Sequence, residues 1–365
     1  MNNKILILSG GTGGHVIPSV NYGNFLIKKG YECSLILDER GSRYSQIFNG
    51  KIYIIKSSHF SGNFFFKIKS IVNLLLGFMQ SVFLIIKIKP NKCLSFGSYA
   101  TLMPLVVILF SKLFIKNKIY LHEQNSVIGK VNLLFLPYAE YIFTNFGFVT
   151  NLKKIYLNKK YYVGLPSDVK SNLNTKSFSK SKDKKILFIY GGSQGSVPLI
   201  NKFLLLLKNI EYNYHKKIKL IIQSPKKIHH SLREDLKKLK IDFEISEFFY
   251  NIEEILSEIN FAFTRAGSGT INDLIKYNIP SIIMPLPHSI YNHQYHNAKY
   301  LYDINGAILI DEVNFNIDAN VKILKKLISD NDLEITMKKA LDEIILPNAN
   351  ELIVTKMFYE KNERI

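Results

Sequence analysis

The chain predicts two α/β domains, each an open parallel sheet flanked by helices, on three observations. Lys4-Ile5-Leu6-Ile7-Leu8-Ser9-Gly10-Gly11-Thr12-Gly13-Gly14 returns 181 residues later as Lys185-Ile186-Leu187-Phe188-Ile189-Tyr190-Gly191-Gly192-Ser193-Gln194-Gly195. In both copies an unbroken apolar run of strand length stops at paired glycines, the order expected where a buried parallel strand turns into a helix. At 365 residues the chain has length enough for two cores. Strand-length and helical stretches alternate after each copy.

The elements follow in order. Pro18 to Lys29 reads as a helix closed by Gly30, and Tyr31 to Leu37 as the next strand. Strands are expected at Lys51 to Ile55, Lys92 to Phe96 and Lys118 to His122, separated by apolar segments at Phe64 to Ile88 and Leu102 to Phe114. Between Ser167 and Lys185 the chain becomes polar and rich in Ser, Lys and Asn, as linkers are. Further strands are expected at Lys219 to Gln223, Asp242 to Ile245, Phe261 to Thr264 and Ser281 to Met284, with helices beyond about residue 315. The expected division is 1–165, a linker at 166–184, 185–345, and a last helix at 346–365 packing back on the first domain.

A net charge of +19 favours an anionic partner, but lysines crowd plainly solvated stretches such as Lys216 to Lys219, so charge alone selects none. Tryptophan is absent and no basic stretch shows the aromatic interleaving of a single-strand surface, so no nucleic acid is expected. Cys33 and Cys93 lie in apolar runs and fit a reducing cytosol. Ile5 to Leu8 is too short for a signal-peptide core, so a cytoplasmic protein is expected.

Phe64 to Ile88 leaves two readings open. Lys67, Lys69, Asn73, Gln80 and Ser81 interrupt it, which argues against a membrane span. Phe64, Phe65, Phe66, Leu74, Leu75, Phe78 and Phe83 between terminal lysines suit a helix lying in a membrane interface. They equally suit a core-facing helix with a basic edge.

Glycines at a strand-to-helix turn let backbone N–H groups point at a ligand across the positive helix end, so both loops are candidate diphosphate cradles, with a substrate expected between two domains. The other reading is an ordinary tight turn. Val16 stands where the dinucleotide pattern counted from Gly11 needs glycine, and neither loop ends in the Gly-Lys-Ser/Thr of a P-loop. His15, at a positive helix start, is a candidate proton acceptor or a turn residue bonded to backbone. His122-Glu123-Gln124-Asn125 places four polar side chains at a strand end, where α/β folds bind ligands. Thr264-Arg265-Ala266-Gly267-Ser268-Gly269-Thr270 leads into Ile271-Asn272-Asp273, another small-residue helix start, with an arginine for phosphate and an acid for a ribose diol. Arg265 could instead be an ion-pair partner, and Asp273 a helix-start charge. His288, His293 and His296 lack nearby cysteines or a spaced carboxylate cluster, so no metal site is expected.

GGTGGHVIP (Gly10 to Pro18), HEQN (His122 to Asn125), GGSQG (Gly191 to Gly195) and RAGSGTINDL (Arg265 to Leu274), followed by His293-Gln294 and Asn297-Ala298, resemble the bacterial MurG family. The matches lie in order over nearly the whole chain. The resemblance implies a GT-B glycosyltransferase fold, two Rossmann-like domains with parallel sheets facing a cleft. It implies inverting transfer of N-acetylglucosamine from UDP-N-acetylglucosamine to the 4-hydroxyl of N-acetylmuramic acid in undecaprenyl-linked lipid I, giving lipid II. It also implies a peripheral enzyme on the cytoplasmic face of the plasma membrane, bound to acidic lipids through Phe64, Phe65, Lys67, Lys69, Leu75, Phe78 and Phe83, among other peptidoglycan-synthesis proteins.

Carried over by position, Thr12, Gly13 and Gly14 lie against the donor and the acceptor diphosphate, with Gly11, Tyr99, His122 and Glu123 around the acceptor. Asn125 touches the donor sugar, Ser193 the donor diphosphate, and Phe249 the uracil through its backbone. Ser268, Gly269, Thr270, Ile271, Asn272 and Asp273 surround the phosphates and ribose, Arg265 steadies departing UDP, and Gln294 meets the sugar hydroxyls. His15 matches the family's proposed base, and no cofactor or metal is implied. The chain departs from the family at Asp273, where a glutamate is usual, and at Gly97-Ser98-Tyr99, a weaker GGY. In Val163-Gly164-Leu165-Pro166, Leu165 replaces an asparagine and Asp168 falls near a donor-contacting arginine's place, with Lys170 nearby. Another nucleotide-sugar enzyme of the same fold, such as a UDP-sugar epimerase, or a non-catalytic UDP-sugar-binding relative, remains an alternative.

Overall fold

The structure is a computed structural model that describes residues 4–58, 64–167, 184–192, 195–249 and 251–359, the side chains of Phe64 and Phe65 excepted. Ser193, Asp168, Lys170 and most of the linker lie outside the described residues. The chain forms two compact units, one of residues 1–171 with 347–365 and one of residues 172–346.

The first unit holds a seven-stranded parallel sheet of β1 (Lys4–Leu8), β2 (Glu32–Asp38), β3 (Lys51–Ile55), β4 (Lys92–Ser95), β5 (Lys118–Glu123), β6 (Tyr141–Thr144) and β7 (Lys160–Tyr162), in the order β3-β2-β1-β4-β5-β6-β7. Ile5, Leu6, Ile7 and Leu8 are all buried, as a strand covered on both faces requires. The last described segment packs on this unit: Ile353, Val354 and Met357 join the core of Ile7, Val20, Tyr22 and Leu35, and the Tyr22 hydroxyl donates to Met357 Sδ at 3.4 Å.

The second unit holds a six-stranded parallel sheet of β8 (Lys185–Tyr190), β9 (Ile218–Gln223), β10 (Asp242–Ser246), β11 (Phe261–Thr264), β12 (Ser281–Ile283) and β13 (Ala307–Leu309), in the order β10-β9-β8-β11-β12-β13. Counted from its own first strand this is 3-2-1-4-5-6, and the first six strands of the first unit follow the same order. In such a doubly wound sheet the direction of winding reverses between strands 1 and 4, and the crevice beyond their carboxyl ends is where ligands bind. Both glycine loops leave strand 1, at that switch point.

One face of the helix Phe64–Ile88 is covered by its own unit and the other is not. Ser70, Gly77, Ser81, Leu84, Ile85 and Ile88 are buried, while Phe66, Ile68, Ile71, Val72, Leu75, Leu76, Met79, Phe83 and Ile86 are exposed. At 100° per residue these sets lie on opposite sides of one helix, except Phe66 in the first turn, which falls on the covered side. Phe78 falls between them, half-buried, and Lys67, Lys69 and Lys87 are exposed. Phe66–Ile88 is apolar and long enough to cross a bilayer, contrary to the expectation from its interruptions. It is nevertheless the connection between parallel β3 and β4, which keeps it alongside its own sheet.

Candidate functional site

In the first unit the helix Gly13–Lys28 starts directly after the loop, with Thr12 at its N-cap position. No side-chain cap and no first-turn acid occupy that end, so the Gly13 and Gly14 amides and the positive helix end remain for an anion. Gly11 has φ +81°, which favours glycine, and its N–H donates to Asp38 Oδ1 at 2.8 Å. A side chain on Gly10 would put Cβ 2.4 Å from that of Ala100.

His15 stands in the first helical turn, with Nδ1 2.9 Å from the Phe96 carbonyl oxygen. A carbonyl only accepts, so Nδ1 is the donor there, which leaves Nε2 as the nitrogen that could take a proton. Phe96 in turn stacks on His122, ring centroids 5.0 Å apart.

His122 and Glu123 are placed differently from expectation. Both are buried, because the strand end they share is covered by the loop that follows. His122 Nε2–H donates to the Gly164 carbonyl at 3.0 Å, and Nδ1 faces the Gln124 amide at 3.2 Å. Burial, with a smaller push from His15, drives its pKa down to about 4, so it is a neutral structural ring. Glu123 accepts from the N–H groups of Asn125 and Gly129 and from Asn132 Nδ2, at 2.9–3.0 Å. These acids and rings shape the loop that carries half-buried Asn125, and neither is presented to a ligand. Tyr99 is half-buried beyond the carboxyl end of β4.

In the second unit, Gly192 has φ +83° and open space where a Cβ would stand, and helical Gly269 has the same open space. The helix Ser268–Lys276 begins at Gly267 with no side-chain cap and no acid in its first turn. Gln294 Oε1 accepts from the backbone N–H of Leu286 at 3.0 Å and of Ala266 at 3.3 Å, which turns its amide nitrogen outward as a donor. Phe249 is buried edge-on against Phe188, 5.8 Å between centroids. Ile271 is buried in the core. Asn272 Nδ2 donates to the Ser268 carbonyl at 3.0 Å.

Arg265 does not face a phosphate. It is 4% exposed, and its guanidinium is spent on Glu312 (2.6 and 3.1 Å), the Met284 and Pro285 carbonyls (3.0 and 3.3 Å) and Ser196 Oγ (3.2 and 3.4 Å). The expected role in steadying UDP is corrected to one of clamping three loops.

Asp273 is the opposite case. No hydrogen bond or ion pair among the described residues holds its side chain, and Lys276 pairs with Glu253 instead, at 3.7 Å. Burial pushes its carboxyl up to about 7, against a lowering by Lys276. A half-buried acid without partners is the kind of group that a ligand hydroxyl completes. Among the described residues no group of three or more His, Cys, Asp or Glu could hold a metal. Sequence reasoning missed Asp38 altogether; an acid closing the second strand beside a glycine loop was its signal.

Two doubly wound sheets, each followed from its first strand by a glycine loop at the switch point, are the architecture of the GT-B fold. The glycosyltransferase family 28 N-terminal domain matches residues 5–144 and its C-terminal domain matches residues 186–353. A Rickettsia canadensis protein named UDP-N-acetylglucosamine--N-acetylmuramyl-(pentapeptide) pyrophosphoryl-undecaprenol N-acetylglucosamine transferase is 32% identical over 89% of this chain and 91% of its own length. The Rickettsia felis protein of the same name is 29% identical over 96% and 99%. The chain belongs to that family, the MurG family. The crystal structure of Acinetobacter baumannii MurG superposes with a TM-score of 0.77, 19% identity and coverage of 97% and 98%. A putative UDP-N-acetylglucosamine 2-epimerase from Listeria monocytogenes shares the fold at TM-score 0.68 and 12% identity.

Proposed function

We propose that this chain transfers N-acetylglucosamine from UDP-N-acetylglucosamine to the 4-hydroxyl of N-acetylmuramic acid in lipid I, giving lipid II and UDP with inversion at the anomeric carbon. The observation that carries the reading is the 32% identity to the named transferase across nine-tenths of both chains. The epimerase alternative has a shared fold behind it and no comparable identity.

The residues divide the work. His15 Nε2 takes the proton of the acceptor hydroxyl as its oxygen attacks the anomeric carbon, and the bond to the UDP oxygen breaks. Thr12, Gly13 and Gly14 offer amides to a diphosphate. In the second unit, the helix start at Ser268, Gly269 and Thr270 stabilises charge on departing UDP. Asp273 binds the ribose diol, Gln294 donates to a sugar hydroxyl, and Phe249 bounds the uracil. Positive helix ends take the part a divalent cation plays elsewhere, so a chelator is expected to leave turnover unchanged; loss on chelation with rescue by magnesium would contradict this.

The exposed apolar face of Phe64–Ile88, edged by Lys67, Lys69 and Lys87, is read as a seat on an acidic lipid surface, which brings the enzyme to an acceptor whose polyprenyl tail stays in the bilayer. The test of the function is transfer from labelled UDP-N-acetylglucosamine to a short-chain lipid I analogue. A β-linked disaccharide product and equimolar UDP are expected. A freed, epimerised sugar that needs no acceptor would replace this reading by the epimerase, and UDP binding without turnover by a binding protein.

A further inference from the structure

We propose that Asp38 is the positioning residue of the first glycine loop, holding it from behind so that the amides of Thr12, Gly13 and Gly14 face the acceptor's diphosphate. This rests on the reading above of that loop as a diphosphate site. Asp38 closes β2, next to β1 in the sheet, and is 2% exposed. Its Oδ1 accepts from the Gly11 N–H at 2.8 Å and from the Gly41 N–H at 3.0 Å. Its Oδ2 takes Arg40 Nε at 2.9 Å and Ser57 Oγ at 3.3 Å. Four donors fill the carboxylate, so it acts through the loop and not on a substrate.

The loop lies directly on this group. A Cβ on Gly10 would come 2.9 Å from Asp38 Oδ1, and one on Gly41 would come 3.1 Å from the same oxygen and 3.2 Å from Gly10 Cα. Two turns are thus pinned to one oxygen. The latch also decides which amides can meet an anion: the Gly11 N–H points back at Asp38, leaving those that follow it. A buried negative charge behind an anion cradle repels the ligand, and Arg40, half in solvent, offsets that charge.

The experiment uses the full chain with UDP-N-acetylglucosamine and a short-chain lipid I analogue, together with amide hydrogen exchange. Asp38→Ala is expected to lower kcat/KM for the acceptor about tenfold or more, to leave UDP affinity within about twofold, and to remove exchange protection at Gly11. Asp38→Asn keeps a carbonyl for both amides and is expected to restore that protection and most of the acceptor kcat/KM. Should the alanine variant fail to fold, the asparagine variant decides: wild-type protection at Gly11 supports the latch, and its loss overturns it. Wild-type acceptor kinetics in a folded Asp38→Ala, or UDP affinity falling in step with acceptor kcat/KM, would also overturn it. A wild-type chain that transfers nothing would sink the functional reading instead, while Gly11 protection would still report on the latch.

Discussion

The two glycine loops share a backbone design and are anchored by opposite charges. Behind the first stands the buried Asp38 carboxylate, which takes the Gly11 and Gly41 amides directly. Beside the second stands the buried Arg265 guanidinium, which holds the chain through Ser196, two carbonyls and Glu312. Each unit's candidate site also carries a perturbed acid, and these differ as well. Burial alone would raise Asp38, but the Gly11 amide and Arg40 outweigh it and hold the carboxyl below its ordinary value. Asp273 has no such donors and is pushed up to about 7. The contrast separates an acid whose partners are built into the fold from one whose partners must arrive with a ligand.

The largest effect expected is on chemistry. His15→Ala should lower turnover with a lipid I analogue by about 10²–10⁴-fold while UDP affinity holds, since only the proton acceptor is lost. Near-normal turnover would remove His15 from the mechanism. Next, Arg265→Ala should destabilise the second unit by about 1–3 kcal/mol in denaturant unfolding, because the Met284 and Pro285 carbonyls and half-buried Glu312 lose their donor. An unchanged midpoint with weakened UDP binding would return Arg265 to the phosphate. Gly10→Ala tests the first anchor sterically, with about 1–3 kcal/mol of destabilisation expected from the clash with Ala100 and Asp38. Joint Leu75→Ser and Phe83→Ser should weaken association with acidic liposomes about tenfold or more and leave UDP binding intact.

The pH dependences of the two acids should have opposite signs. Asp38, lowered in the folded state, contributes stability that is present above the ordinary carboxylate pKa and is lost as pH falls through its folded value. Asp273 is raised, so the folded state is favoured while that group keeps its proton and loses stability as pH climbs from about 4 toward 7. Asp273→Asn should therefore be more stable than the parent at pH 8 and indistinguishable at pH 4. A gain of equal size at both pH values would contradict the raised value.

Much of this was legible in the chain. Continuous apolar runs ending at glycine gave β1 and β8, and Lys51–Ile55 and Phe261–Thr264 lie where the pattern puts them. Tyr141–Thr144, Lys160–Tyr162 and Ala307–Leu309 escaped the pattern. The Phe64–Ile88 helix is apolar on both faces, and periodicity cannot tell which face the protein covers. Arg265 read as a phosphate ligand because its partner Glu312 lies 47 positions away, beyond any local pattern. Asp38 was hidden in Asp38-Glu39-Arg40, which reads as an ordinary polar turn after a strand.

The central claim, that the helix start at Ser268 in the second unit forms the donor diphosphate site, is tested most directly by a crystal structure with UDP bound. The account predicts phosphate oxygens within hydrogen-bonding distance of the Ser268 to Thr270 amides and a ribose hydroxyl on Asp273. A nucleotide seated on the Gly11 to Gly14 loop instead, with Asp273 untouched, would contradict it.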